Sequence, residues 1–271
     1  MDTFSVAFVG AGNMTNSMVG GLLAAGFAPD DLAAADPIAD NRDRLGARGI
    51  RVGDDNASIT TGADLIVLAV KPQVLREVCN GLRGQLKRKP VVVTIAAGIP
   101  AESVATWLGG DIAVVRCMPN TPALLGLGAS ALCAHGEVPA RQRQQAEAVL
   151  GAVGTVCWVE DEDLMHAVTA LSGSGPAYFF QFMEAMIAGA EAMGLDAETA
   201  RTLCAQTCAG AGQMLLRGDA SATELRQRVC SPGGTTERAV ESFTAAGLAP
   251  AVHAAMNAAL QRSRELEKEL T

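Results

Sequence analysis

The chain has 271 residues, of which 49% are apolar and 18% charged, with a formal net charge of −8. That length and apolar content can bury the core of one large domain or two ordinary ones, and they exclude a disordered chain. The longest run of Lys and Arg is the three residues Lys87-Arg88-Lys89, and with the negative net charge this argues against nucleic acid or an anionic membrane surface as the main partner.

The opening stretch MDTFSVAFVGAGN has neither a basic n-region nor a small-residue cleavage site, so no signal peptide is expected. Residues 5–9 read as a strand, and further β-rich runs follow at 32–35, 65–70, 91–95, 112–116, 130–133 and 155–159. Several are solid apolar runs, which suits strands covered by helices on both faces. Residues 1–160 are therefore expected to form a doubly wound α/β sheet of the Rossmann type. After Glu160 the strand pattern stops. Residues 161–271 read as an all-α domain with breaks at SGSGP (172–176), Gly194-Leu195, Gly218-Asp219 and SPGG (231–234). Between Asp163 and Leu216 the charged residues are Asp163, Glu184, Glu191, Asp196, Glu198 and Arg201 alone. Helices this apolar must be covered on most sides, so this half is expected to join two copies in an obligate homodimer. Residues 262–269 close the chain as a charged helix expected to be exposed. The long uncharged stretches 164–183 and 117–135 are broken by SGSGP and by Pro119 and Pro122, so neither suits a membrane span. Seven scattered cysteines, with Cys204 and Cys208 on one helix face, suit reduced cytoplasmic thiols better than disulfides or a metal site.

The first strand opens into Gly10-Ala11-Gly12-Asn13-Met14-Thr15 and then a helix. Gly10 allows the tight turn, and Gly12 lets a pyrophosphate approach helix N-terminal amides. A GxG alone is weak; directly after a strand and opening a helix, it reads as a dinucleotide site. Thr15 stands where Gly or Ala is usual, which predicts slightly looser packing of helix on strand. Asp36 ends the second strand, 24 residues after Gly12, where an acid can accept from a ribose 2′-hydroxyl. That tilts the cofactor toward NADH, yet Asn41, Arg42 and Arg44 follow and suit the 2′-phosphate of NADPH, and Asp36 also reads as a plain turn residue before Pro37. At later strand ends stand Ala69-Val70-Lys71-Pro72, Ala96-Ala97-Gly98 and Met118-Pro119-Asn120. Singly these are ordinary turns; together they line the crevice for a nicotinamide.

The helical half holds no Lys or Arg before Arg201, and His135, His166 and His253 stand alone, so no obvious general acid is on offer. Tyr178 is the one tyrosine. Two clusters of small residues stand at helix starts: Ser172-Gly173-Ser174-Gly175-Pro176 and Ser231-Pro232-Gly233-Gly234-Thr235-Thr236. In the first, Ser174 or Gly175 can cap and Pro176 suits the first helical position. In the second, hydroxyls and free amides make a carboxylate site. Each cluster alone also reads as a hinge with a cap. An imine fits this inventory, because a protonated C=N accepts hydride without an enzyme acid.

GAGNM, LAVKPQ (68–73), AAGI (96–99), VRCMPNTPALLGLGASAL (115–132), AVTALSGSGPAYFF (167–180), SPGGTTERAV (231–240) and RSREL (262–266) together resemble the pyrroline-5-carboxylate reductase family nearly end to end. The resemblance implies NAD(P)H-dependent reduction of L-1-pyrroline-5-carboxylate to L-proline by homodimers, often built further into decamers, with a substrate site shared between subunits. It implies carboxylate contacts at Gly233, Gly234, Thr235 and Thr236, a Thr236 hydrogen bond to the imine nitrogen, and SGSGP amides opposite. Asp219 matches a less regular substrate-loop position, and Cys230 departs from the usual small polar residue. The same scaffold also suits a reductase of another cyclic imine, a hydroxyacid dehydrogenase (which the missing helical Lys disfavours) or a non-catalytic dinucleotide-binding regulatory dimer.

Overall fold

The computed structural model describes residues 4–271, which divide into one unit of residues 4–174 with Ala259–Thr271 and a second of Gly175–Ala258. In chain order the first unit runs β1 (Val6–Val9), α1 (Asn13–Ala24), β2 (Leu32–Ala35), α2 (Ala39–Gly46), β3 (Arg51–Gly53), α3 (Asn56–Thr60) and β4 (Leu65–Leu68). It continues through α4 (Pro72–Leu82), β5 (Val91–Thr94), α5 (Ala101–Leu108), β6 (Val114–Met118), β7 (Gly128–His135), α6 (Ala140–Gly151), β8 (Gly154–Trp158) and α7 (Leu164–Val168). The strand order is β3-β2-β1-β4-β5-β6-β7-β8. β3 through β6 pair in parallel, so the direction of winding reverses between β1 and β4, the place where such sheets open a crevice at their carboxyl ends.

The sheet is covered on both faces, as the solid apolar strands require. Along β1, Val6 and Phe8 join Met18, Leu22, Val149 and Leu150 from α1 and α6, while Ala7 and Val9 join Ile59, Leu75, Leu82 and Val104 from α3, α4 and α5. Alternation along a strand sends successive side chains to opposite layers. β7 runs antiparallel to β6 because the link from Met118 to Gly128 is too short for a crossover helix. The three-residue edge strand β3 is an addition to the expected set, since Arg51-Val52-Gly53 is half exposed and lacks an apolar run. The other strands fall within a few residues of their expected positions.

The SGSGP interruption is not a break. Thr169–Gly173 widens into a π turn in which the Ser174 amide donates to the Thr169 carbonyl at 2.8 Å, and α8 (Gly175–Ala192) follows at once. Ser174 itself is helical (φ −83°, ψ −20°) rather than an extended cap.

The second unit comprises α8, α9 (Ala197–Arg217), α10 (Ala222–Val229), α11 (Thr235–Ala245) and the first part of α12 (Leu248–Leu270). Asp196 caps α9 through the Thr199 amide, and Ser221 with Glu224 forms a capping box on α10. Within Gly175–Ala258 only Gly175, Ala200 and Cys204 are buried. Phe179, Phe180, Met186, Leu203, Met214 and Leu216 stand exposed, so this unit has no core of its own. The C-terminal tail corrects the expectation of full exposure: Ser263 is buried, and Leu266, Glu267 and Leu270 are half-buried in the first unit. No helix among the described residues is long and apolar enough to cross a membrane.

Candidate active site

Gly10 sits directly after β1 with φ +98°, and a Cβ there would stand 2.6 Å from the Ala69 carbonyl oxygen after β4. Only glycine lets these two strand ends close up. Above Gly12 a Cβ would meet nothing within 4 Å, and α1 starts with no side-chain cap and no acid in its first turn. An open space over uncapped helix amides fits a pyrophosphate, so Gly10, Gly12, Asn13 and Met14 suit the cofactor. Thr15 is fully buried, and its hydroxyl donates to the Gly10 carbonyl at 2.6 Å. The departure at the third position thus ties the turn down.

Asp36 is buried, and both of its oxygens are engaged: Oδ2 accepts from the Ala11 amide at 2.7 Å and Oδ1 from the Ile38 amide at 2.9 Å. Its carboxylate pins the Gly-rich turn to the end of β2. Arg44 reaches the same turn, donating to the Ala11 carbonyl at 3.0 Å and to Asn13 Oδ1 at 3.2 Å. Arg42 donates to the backbone carbonyls of Asp36 and Pro37. Parallel pairing sets Ala69, Val70, Ala97 and Met118 at the same edge, with Lys71 and Pro72 starting α4.

Two contacts bring the strand-end loops onto the SGSGP turn. A Cβ on Gly173 would lie 2.4 Å from Met118 Cε, so the methionine already fills that space. Asn120 Nδ2 donates to the Ser172 carbonyl at 3.0 Å while its Oδ1 accepts from the Ala129 amide at 2.9 Å. The Ser172 carbonyl is free for this because Pro176, four residues on, has no N–H to donate. Asn120, expected beside the cofactor, therefore works as a bridge between β7 and the π turn. The Ser172 hydroxyl donates back to Val168 and is also committed. Burial pushes the Cys117 thiol far up and that of Cys79 to about 12, so neither ionises near neutral pH. His166 is buried behind the turn, with Nδ1 2.9 Å from Ser263 Oγ.

In the second unit, Gly233 takes φ +71° between α10 and α11. Its amide donates to Glu237 Oε2 at 2.8 Å and the Gly234 amide to the Ser231 carbonyl at 2.9 Å. Two of the amides expected to be free are thus occupied. Those of Thr235 and Thr236 open α11, where a helix offers no acceptor of its own. Glu237 escaped the sequence reading, although an acid at the third helical position after a Gly-rich start is a signal for reaching back. Asp219 is exposed in the bend between α9 and α10. A cleft of about 300 Å³ lined by Arg83, Leu86, Lys89, Leu108 and Asp111 lies at the opposite, amino-terminal edge of the sheet and holds no candidate residue.

Comparison with known proteins shows the family. The pyrroline-5-carboxylate reductase dimerisation family matches residues 162–266, and the coenzyme F420-dependent NADP oxidoreductase family matches residues 5–98. A pyrroline-5-carboxylate reductase of Pseudomonas aeruginosa is 50% identical over 100% of this chain and 99% of its own. One from Arabidopsis thaliana is 34% identical over 98% of this chain and 97% of its own. Among solved structures, a pyrroline-5-carboxylate reductase from Coxiella burnetii superposes with a TM-score of 0.95 at 40% identity, covering 98% of this chain and 99% of that one. A Plasmodium falciparum pyrroline carboxylate reductase with NADP bound gives 0.86 at 26% identity, covering 98% and 99%. With half its residues shared across the full length of such a relative, the chain belongs to the pyrroline-5-carboxylate reductase family.

Proposed function

We infer that the chain reduces L-1-pyrroline-5-carboxylate to L-proline, with the strand-end loops of the first unit suited to the nicotinamide and the start of α11 in the second suited to the substrate carboxylate. The observation that carries this reading is the Asn120–Ser172 hydrogen bond with its neighbouring Met118–Gly173 contact. It puts the loops suited to a nicotinamide against the turn suited to the substrate. The bound reduced nicotinamide supplies a hydride to the imine carbon. The residues of the chain do the rest. Gly173 leaves room for Met118, Gly175 keeps a side chain away from the reacting faces, and Ser174 and Pro176 hold that turn in shape. The Thr235 and Thr236 amides, with Ser231, Gly233 and Gly234 shaping their loop and Asp219 bordering it, take the substrate carboxylate. The Thr236 hydroxyl hydrogen-bonds the imine nitrogen. No enzyme acid is required, because the protonated imine already carries the charge that hydride transfer neutralises.

The division of labour follows residues 1–160 for the dinucleotide and 161–271 for substrate and assembly. That boundary runs with the match at 162–266 rather than with the geometric units, which divide at Ser174/Gly175 and return the end of α12 to the first. The apolar faces of the second unit meet a second copy as a homodimer, the building block of a decamer. Seven free cysteines, among them buried Cys79, Cys117, Cys133 and Cys204, suit the reducing cytoplasm.

For the cofactor the geometry favours NADPH. The Asp36 oxygens are already taken by two backbone amides, while the Arg44 guanidinium lies beside the Gly-rich turn and is exposed. Oxidation of NADPH and of NADH followed at 340 nm with pyrroline-5-carboxylate tests both points. NADPH should give the higher kcat/KM. Arg44→Ala should raise the Kd for 2′,5′-ADP by about tenfold more than that for 5′-ADP, the loss of one charge-assisted hydrogen bond beyond any loosening of the turn. No turnover with either cofactor would overturn the substrate, and a panel with a cyclic imine one carbon larger would then be the next assay.

A further inference from the structure

Behind the candidate site lies a group of charged side chains that the reaction does not use. Arg116 is buried in β6, two residues before Met118. Its Nη1 donates to Glu162 Oε1 at 2.9 Å and to Glu267 Oε2 at 3.1 Å. The same Glu162 oxygen accepts from the Ala101 amide at 2.7 Å, the first residue of α5. His166 on α7 stands 3.6 Å from Glu267 Oε2 through Nε2 and binds Ser263 through Nδ1. Arg264 pairs with Asp163 at 2.7 Å. A Cβ on Gly98 would be 3.3 Å from Leu266 Cβ and 3.4 Å from Leu270 Cδ1, so the last two turns of α12 lie directly against the turn that carries Ala97.

One guanidinium thus ties together three elements: the end of β6 with Met118 and Asn120, the β5–α5 turn with Ala97, and α7 leading into the π turn. A buried Arg with two carboxylates has a steep cost for being only partly paired, so each partner strongly favours a single arrangement of the other two. Such support behind a site fixes where its loops stand, and small errors in reacting geometry are expensive in rate. We propose that Glu267, through Arg116, is a positioning residue for hydride transfer, and that the C-terminal turn of α12 acts as the rear wall that sets the Ala97 and Met118 loops. This rests on the assignment of those loops to the nicotinamide made above.

The test compares Glu267→Ala and Glu267→Gln with Leu86→Ala, a core truncation at the opposite edge of the sheet. Measured well below Tm, Glu267→Ala should lower kcat at least tenfold, with the NADPH Kd within twofold of the parent and a raised primary isotope effect from 4-deuterated NADPH. Amide hydrogen exchange should quicken at residues 96–99 and 117–120. Glu267→Gln keeps the hydrogen bond from Arg116 and should recover most of the rate; if Glu267→Ala does not fold, Glu267→Asp, which draws the carboxylate back from Arg116, takes its place with the same expected losses. Leu86→Ala should lose Tm without these kinetic changes. An unaltered kcat and isotope effect in Glu267→Ala, or the same losses in Leu86→Ala at equal Tm, would overturn the positioning role. If Gly173→Val still abolishes turnover in that case, the positioning proposal alone falls; if it does not, the site assignment falls with it.

Discussion

Gly173→Val should lower kcat for pyrroline-5-carboxylate reduction by about a hundredfold or more, the scale on which a misplacement near 1 Å acts. The Cβ it introduces needs space held by Met118 Cε, and the two γ-methyls need more. Methionine is flexible and can give way, so the helical circular dichroism, Tm and dimer should be largely kept. What moves is the end of β6, and with it the loop on which the nicotinamide is proposed to rest. Gly173→Ala should show a smaller loss of the same kind. Gly175→Val adds its side chain where no atom of the chain lies within 4 Å, so its loss of turnover would come from blocking the reacting faces. A Gly173→Val enzyme with unchanged kcat, by initial rates on protein of verified fold, would remove the π turn from the mechanism.

Phe179→Asp should dissociate the assembly. The side chain is 62% exposed on α8, within a unit whose buried residues are Gly175, Ala200 and Cys204. Burying a phenylalanine contributes about 2 kcal/mol, and two-fold symmetry counts each substitution twice. The dimer constant should therefore rise by about a thousandfold, and a buried carboxylate adds to that. Sedimentation velocity at micromolar concentration should show monomer or aggregate, with activity lost in parallel. A Phe179→Asp protein that stays dimeric and active would place the interface on another face of these helices. The interface is expected to be obligate because helices with so little core cannot repay the entropy of ordering by themselves.

The alternation of strand and helix through residue 160 was legible because fully covered parallel strands must be apolar runs, and those runs occur where β1, β2, β4, β5 and β6 lie. The edge strand β3 was not, since a half-exposed Arg-Val-Gly carries no such pattern and is a strand only because Ala33–Ala35 offers an unpaired edge. Similarly, the SGSGP composition reads locally as a break. In place, the Ser174–Thr169 bond and the Asn120 amide absorb the strain that glycine and proline would otherwise put on a helix.

Among the site residues, the Gly-rich turn, the strand-end loops and the two small-residue helix starts could be named from local pattern, because each depends on residue types within a few positions of one another. The sequence by itself determined the Rossmann order, the lack of an evident acid–base pair in the second half and the family to which the chain belongs. The tertiary structure decided what each polar side chain is free to do. Asp36 proves to be a pin for the turn, Asn120 a bridge to the Ser172 carbonyl, and Glu237 a partner for the Gly233 amide. It also drew Arg116, Glu162, His166 and Glu267 into one cluster from positions far apart in the chain. Hydrogen bonds and ion pairs act over about 3 Å, so their pairing is set by which strands and helices fold against one another. Spacing along the chain cannot report it.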